Sequence, residues 1–151
     1  MALAARLNRE LYLTYVLLGD GECHEGSVWE AAMFAGHHQL NNLVAIVDRN
    51  WLCATDFTEN CMRLNPLHKK WASFGWDVVC INGHSFPEIL SAFSGLDSRQ
   101  RNRPLAVIAN TVKGRGVDFM ENQPLWHGIA PEKEEARHAL CRLKKQQKNL
   151  I

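Results

Sequence analysis

Long apolar runs are missing from this chain. No stretch approaches the roughly 20 apolar residues that cross a bilayer, and the opening MALAARLNRE lacks the apolar block of a secretory signal. The expectation is a cytoplasmic protein without a membrane partner. A charge excess is missing too. Seventeen Lys and Arg against sixteen Asp and Glu leave a formal charge of +1, so no field marks nucleic acid as a partner. The five cysteines, Cys23, Cys53, Cys61, Cys80 and Cys141, are odd in number and contain no C-x-x-C pair, which argues against a disulfide framework or a thiolate zinc site. Reduced, mostly buried thiols are expected. Neither G-x-x-x-x-G-K-[ST] nor a helix-opening G-x-G-x-x-G occurs, which removes the two commonest nucleotide motifs.

What is present is an ordinary globular composition, 46% hydrophobic and 22% charged over 151 residues, and one domain over 1–151 is expected. Apolar runs at Tyr15 to Leu18, Leu43 to Val47, Val78 to Ile81 and Leu105 to Thr111 read as strands. Because they are apolar on consecutive residues, both faces should be buried. Helices should lie between them. Ser27-Val28-Trp29-Glu30 reads as a capping box opening a helix to about Leu40, and Ser85-Phe86-Pro87-Glu88 opens another to about Leu96, with proline in the first turn. A shorter helix should span Pro66 to Phe74, stopped by Gly75. A last one should start near Pro131, with Glu132, Glu134 and Glu135 at its positive end and Lys144, Lys145 and Lys148 at its negative end. Alternating strands and helices predict an α/β fold, a mostly parallel sheet with helices on both faces. Met1 to Arg9 resembles the tail of a helix with Met1, Leu3 and Leu7 to bury, and no strand precedes it, so the fold is expected to be incomplete at the N-terminus.

In open parallel sheets ligands bind beyond the carboxyl ends of the strands. After the first strand comes Gly19-Asp20-Gly21, whose glycines let backbone approach a ligand while the aspartate offers a hard oxygen. Taken alone, the tripeptide is equally a glycine turn whose aspartate caps a helix. After the second strand comes Asp48-Arg49-Asn50. One helix and one strand separate Gly21 from Asn50, so Asp20 and Asn50 can meet, and such oxygens suit magnesium beside a phosphorylated ligand.

These residues resemble the thiamine diphosphate enzymes, marked by G-D-G and an asparagine one helix and strand later. The resemblance narrows to transketolase, in the form of the amino-terminal subunit of split transketolases. It is carried by Tyr15-Val16-Leu17-Leu18-Gly19-Asp20-Gly21-Glu22, by Glu25-Gly26-Ser27-Val28-Trp29-Glu30-Ala31-Ala32, by Asn42 to Asn50, by Phe74-Gly75-Trp76 and Gly83-His84, and by Thr111 to Asn122 followed by Trp126-His127-Gly128. The resemblance implies a diphosphate-binding module in which Asp20, Asn50 and the main-chain oxygen of Leu52 hold Mg2+, and Gly19 and Gly21 lie against the diphosphate. It also implies that His127 faces the cofactor and the substrate channel. Glu25 matches a glutamate near the dimer interface that communicates between active sites. Implied partners are sugar phosphates, a second copy of the chain, and a carboxyl-terminal subunit carrying the pyrimidine-binding domain. The implied reaction is two-carbon ketol transfer with thiamine diphosphate as carbanion carrier. Alternatives are a silent relic of the same fold, a related enzyme such as deoxyxylulose phosphate synthase, or magnesium-dependent phosphate binding without thiamine. The chain departs from the family pattern at Trp51, where a small residue is usual. Lys113 and Arg115 read equally as a covering loop and as loose, solvated bases. Of the other histidines, His84 follows a strand end and is a candidate to line the cleft.

Overall fold

The computed structural model describes residues 1–97 and 101–148, leaving 98–100 and 149–151 of the expected domain outside the described residues. In chain order the elements are α1 (Ala2–Leu7), β1 (Thr14–Gly19), α2 (Gly26–His37), β2 (Leu43–Arg49), α3 (Thr58–Cys61), α4 (Leu67–Ser73), β3 (Asp77–Asn82), α5 (Phe86–Phe93), β4 (Leu105–Asn110) and α6 (Lys133–Lys148). Short 3-10 turns at Gly21–His24 and Pro124–His127 and the small helix α3 are additions to the expected set.

The four strands are all parallel, in the order β1-β2-β4-β3. The expected α/β architecture therefore stands, with helices on both faces. On one face Ala45, Val47, Ala106 and Ile108 meet Ala2, Ala32, Ala35, Leu67, Trp71 and Trp76 from α1, α2, α4 and the turn before β3. Trp71 is the largest fully buried side chain and lies 5.6 Å from Trp29 and 4.9 Å from Trp76, ring centre to ring centre. Gly36 is required here by proximity, because a Cβ on it would stand 1.8 Å from the Phe74 carbonyl oxygen. On the other face Val44, Ile81, Leu105 and Val107 meet Ile89, Ala92 and Phe93 from α5.

Burial on both faces holds only for the central pair. β2 and β4 are largely buried, whereas β1 is an edge with Tyr15 53% and Leu17 71% exposed. Tyr15 pairs with Val44 and Leu17 with Ile46, which places both on the face that α5 covers; the last residue of α5, Phe93, brings its ring to 6.3 Å from that of Tyr15, yet Tyr15 and Leu17 stay largely exposed. Apolar content marked them as strand and could not tell edge from centre.

Five local expectations are corrected. In α1 it is Ala2 and Ala5 that are buried, while Met1 and Leu7 are exposed and Leu3 is partly buried against the core, because the small residues form the face turned to the sheet. Ser27 does not cap α2; the helix starts one residue earlier with Glu25 at the cap and no side-chain cap bond. Ser85 does cap α5, its hydroxyl accepting from the Glu88 amide, but Glu88 receives the Asn82 amide at 2.8 Å instead of closing the box. The helices α2 and α5 end at His37 and Phe93, short of Leu40 and Leu96. Finally, the thiols are not mostly buried, since Cys61, Cys80 and Cys141 are exposed and only Cys23 is fully enclosed. Among the described residues no helix is long and apolar enough to cross a membrane.

Candidate functional site

The sheet order sets the ends of β1, β2 and β4 side by side, and the hydrogen-bond ladder continues past them. The Asp20 amide donates to the Asp48 carbonyl at 3.2 Å and the Thr111 amide to the Arg49 carbonyl at 3.1 Å. The three loops that follow therefore open onto one crevice, a cavity of about 490 Å³ lined by Gly19, Asp20, Gly21, Glu22, Asp48, Asn50, Leu52, Cys53, Ala54, Lys113 and His127. Of the residues expected at the site, Gly19, Asp20, Gly21, Asn50, Leu52 and His127 are brought together. Glu25 is not among them. It stands exposed at the start of α2, as a residue facing a partner or solvent would.

Asp20 is buried and accepts three hydrogen bonds. Its Oδ1 accepts from the Gly21 amide at 2.8 Å, and its Oδ2 accepts from the Trp51 amide at 2.7 Å and from Nη1 of Arg49 at 3.0 Å. Burial pushes its carboxyl above the usual range, against the opposing pull of the Trp51 amide and the Arg49 charge. Asn50 is folded the same way, its Oδ1 accepting the Leu52 amide at 3.0 Å and its Nδ2 donating to Asp48 at 3.2 Å. Asp48 in turn accepts the Thr111 hydroxyl, which ties the loop after β4 to the end of β2.

Gly21 is fixed by contact. A Cβ there would meet Cys53 Cβ at 2.9 Å and lie 3.7 Å from the Leu52 carbonyl oxygen. The loop after β2 thus rests on the glycine, and only backbone fits between them. His127 ends a turn whose Trp126 indole donates to the Phe119 carbonyl at 3.0 Å and packs on the Phe119 ring, so the loop after β4 folds on itself and presents His127 and Lys113 to the crevice. His84 does not line it; its Nε2 accepts the Val112 amide at 2.8 Å and braces that loop from outside.

Arg49 was legible only as part of a motif, yet it organises the site. Its side chain is 2% exposed, and Nη1 reaches Asp20 and Thr58 while Nη2 reaches Glu59 at 2.9 Å and Asn65 at 3.4 Å. Its Cζ stands 3.8 Å from the centre of the Trp51 ring. A buried guanidinium needs several acceptors, and an arginine closing an apolar strand, with acids available on both sides, was the signal in the sequence. Glu59 is desolvated, which opposes ionisation, but Arg49 and the Leu64 and Asn65 amides outweigh this and hold its carboxyl below the usual range. Lys113 and Asp48 were likewise undervalued as site residues.

The residue types suit a hard cation: a carboxylate, a side-chain amide and a main-chain carbonyl belong to residues that line one cavity, beside a glycine where only backbone fits. Among the described residues no three His, Cys, Asp or Glu side chains cluster around a metal position, so such a site draws on Asn50 and the Leu52 carbonyl as well as Asp20. Carboxylate oxygens have spare lone pairs beyond the bonds they accept here.

Comparison with known proteins agrees with this geometry. The family model "Transketolase, thiamine diphosphate binding domain" matches residues 3–148. The chain belongs to that family. It is 42% identical over 93% of its length to an apulose-4-phosphate transketolase subunit of Phocaeicola vulgatus, covering 50% of that protein. It is 38% identical over 97% of its length to a 6-deoxy-6-sulfo-D-fructose transketolase subunit of a Clostridium species, covering 53%. It thus spans about half the length of these curated relatives. The transketolase structure from Campylobacter jejuni superposes with a TM-score of 0.74 over 98% of this chain and 28% of that one; at 23% identity this likeness speaks for the fold alone. Transketolase from Pichia stipitis in complex with sedoheptulose 7-phosphate superposes at 0.63 with 26% identity, over 90% of this chain and 24% of that one.

Proposed function

We propose that the crevice binds the diphosphate of thiamine diphosphate through Mg2+, and that the chain serves as the amino-terminal subunit of a transketolase. The observation that carries this reading is that Asp20, Asn50, Leu52, Lys113 and His127 line one cavity. Asp20, Asn50 and Leu52 would hold the cation, which lets the diphosphate lie beside a carboxylate that would otherwise repel it. Lys113 offers a donor to phosphate oxygens, the Gly21 amide would become one on exchanging its bond to Asp20 for the phosphate, and His127 offers a ring nitrogen toward phosphate or substrate. The cofactor supplies a stabilised carbanion for two-carbon ketol transfer between sugar phosphates. This chain's residues anchor and orient it, while the pyrimidine end requires a carboxyl-terminal partner chain, in keeping with relatives that are themselves named as subunits. We place the protein in the cytoplasm and its working form as a dimer, with Glu25 facing the partner copy.

Calorimetric titration with thiamine diphosphate tests the reading. Binding should appear with Mg2+ and vanish in EDTA and in Asp20→Ala. Ketol transfer should appear only on mixing with a carboxyl-terminal transketolase subunit. A second reading, a silent member of the fold, is favoured by one observation: Arg49 already neutralises Asp20. No ketol transfer even with the partner subunit, from folded protein, would support it, whereas equal affinity with and without Mg2+ would overturn the metal site itself.

A further inference from the structure

The loop that carries the Leu52 carbonyl also carries a thiol, and a second thiol meets it from α3. Cys53 Sγ and Cys61 Sγ stand 3.2 Å apart. We propose that Cys53 and Cys61 are a reversible dithiol at the rim of the crevice, converted to a disulfide by a peroxide in the folded chain.

The backbone brings the pair together. The Cys53 amide donates to the Asp56 carbonyl at 2.9 Å, the Thr58 amide donates to the Trp51 carbonyl at 2.9 Å, and Leu52 bridges Phe57, so the chain doubles back and delivers α3 to the thiol. Arg49 locks the same turn by holding Thr58 and Glu59. Closing the sulfurs from 3.2 Å to the about 2.05 Å of a disulfide asks for little movement. Access is open, since Cys61 is exposed and Cys53 half-buried. Cys23, by contrast, is fully enclosed, out of reach of a peroxide.

The Cys53 thiolate attacks one oxygen of hydrogen peroxide; an S–O bond forms, the O–O bond breaks, and the departing hydroxide takes a proton to leave as water. Cys61 sulfur then attacks the resulting sulfenic acid, the S–S bond forms, the S–O bond breaks, and a second water leaves with the Cys61 proton. Two thiols lose two hydrogens and two electrons, and the peroxide is reduced to two waters. A dithiol reductant reverses the step.

Trypsin cleavage after Arg49 and Arg63 keeps both thiols in one peptide, residues 50–63. The full chain is treated with hydrogen peroxide, alkylated, digested and weighed. The expected result is that this peptide resists alkylation and is about 2 Da lighter than its dithiol form, and that dithiothreitol restores it. In Cys61→Ser, Cys53 should stop at the sulfenic acid and be trapped by dimedone, while in Cys53→Ser Cys61 should react no faster than Cys141. The proposal is overturned if the peptide is alkylated at both cysteines after peroxide has oxidised Cys141, or if Cys53 and Cys61 link to other cysteines in preference to each other.

Discussion

The loops after β1 and after β2 meet at the same crevice but are held in different ways. The first is short and set by its own backbone: Gly19 and Gly21 flank Asp20, and the Gly21 amide closes on the aspartate beside it. The second is set from a distance. Its shape depends on Arg49, whose partners Asp20, Thr58, Glu59 and Asn65 are spread along the chain, and on Trp51, which sits at φ +69°. A site can thus take half its geometry from local chemistry and half from one buried side chain.

That contrast is sharpest in Arg49→Met. Removing the guanidinium leaves the Asp20 carboxylate buried with amide donors alone, and breaking a buried pair on one side costs about 3–5 kcal/mol. Urea denaturation should show a loss of this size; a loss under about 1 kcal/mol would mean that the second loop stands without its arginine.

Gly21→Ala probes the first loop. Its Cβ would press on Cys53 Cβ at 2.9 Å and Cys53 Cα at 3.3 Å, and overpacking of this kind costs about 1–3 kcal/mol. Gly26→Ala, with nothing within 4 Å of its Cβ, should be neutral in the same assay. Equal effects at the two positions would mean that the loops do not depend on their mutual contact.

Glu59→Gln acts through pH. The folded carboxyl lies below its ordinary value of 4.5, so its bond to Arg49 contributes stability above the unfolded value and loses it as pH falls through the folded one. Glu59 is 29% exposed, and after solvent screening the contribution should be under about 1 kcal/mol. The gap between wild type and variant should be present at neutral pH and close below the unfolded value. Asp20, whose carboxyl is raised, has the opposite sign and is common to both proteins.

How much was legible follows the same division. Runs of apolar residues revealed all four strands, and G-D-G with an asparagine one helix and strand later located the crevice, because those signals are local or repeat at strand ends. Edge and centre were not legible: Leu17 and Val47 are both apolar, and only pairing decides that one is exposed and the other enclosed. Nor was the Arg49 network, since charge in a sequence does not reveal which acids reach it. Ser27 carried a correct capping pattern that lost to a helix starting one residue earlier.

The smallest expected effect is at Trp51→Gly. Glycine relieves the left-handed backbone, worth about 1–3 kcal/mol, and forfeits the stack on a buried guanidinium, worth about 2 kcal/mol when desolvated, so the two nearly offset and stability should shift by about 1 kcal/mol or less in either direction. Thiamine diphosphate affinity should rise. Weaker binding would make the indole a working part of the site.

The central claim is that Asp20, Asn50 and the Leu52 carbonyl together take a cation in front of the diphosphate. The most direct measurement is anomalous scattering from crystals grown with thiamine diphosphate and Mn2+ in place of Mg2+. One strong peak is predicted within bonding distance of all three oxygens, lost in Asp20→Ala. A peak elsewhere in the crevice, or cofactor density with the Arg49–Asp20 pair intact and no metal between them, would contradict it.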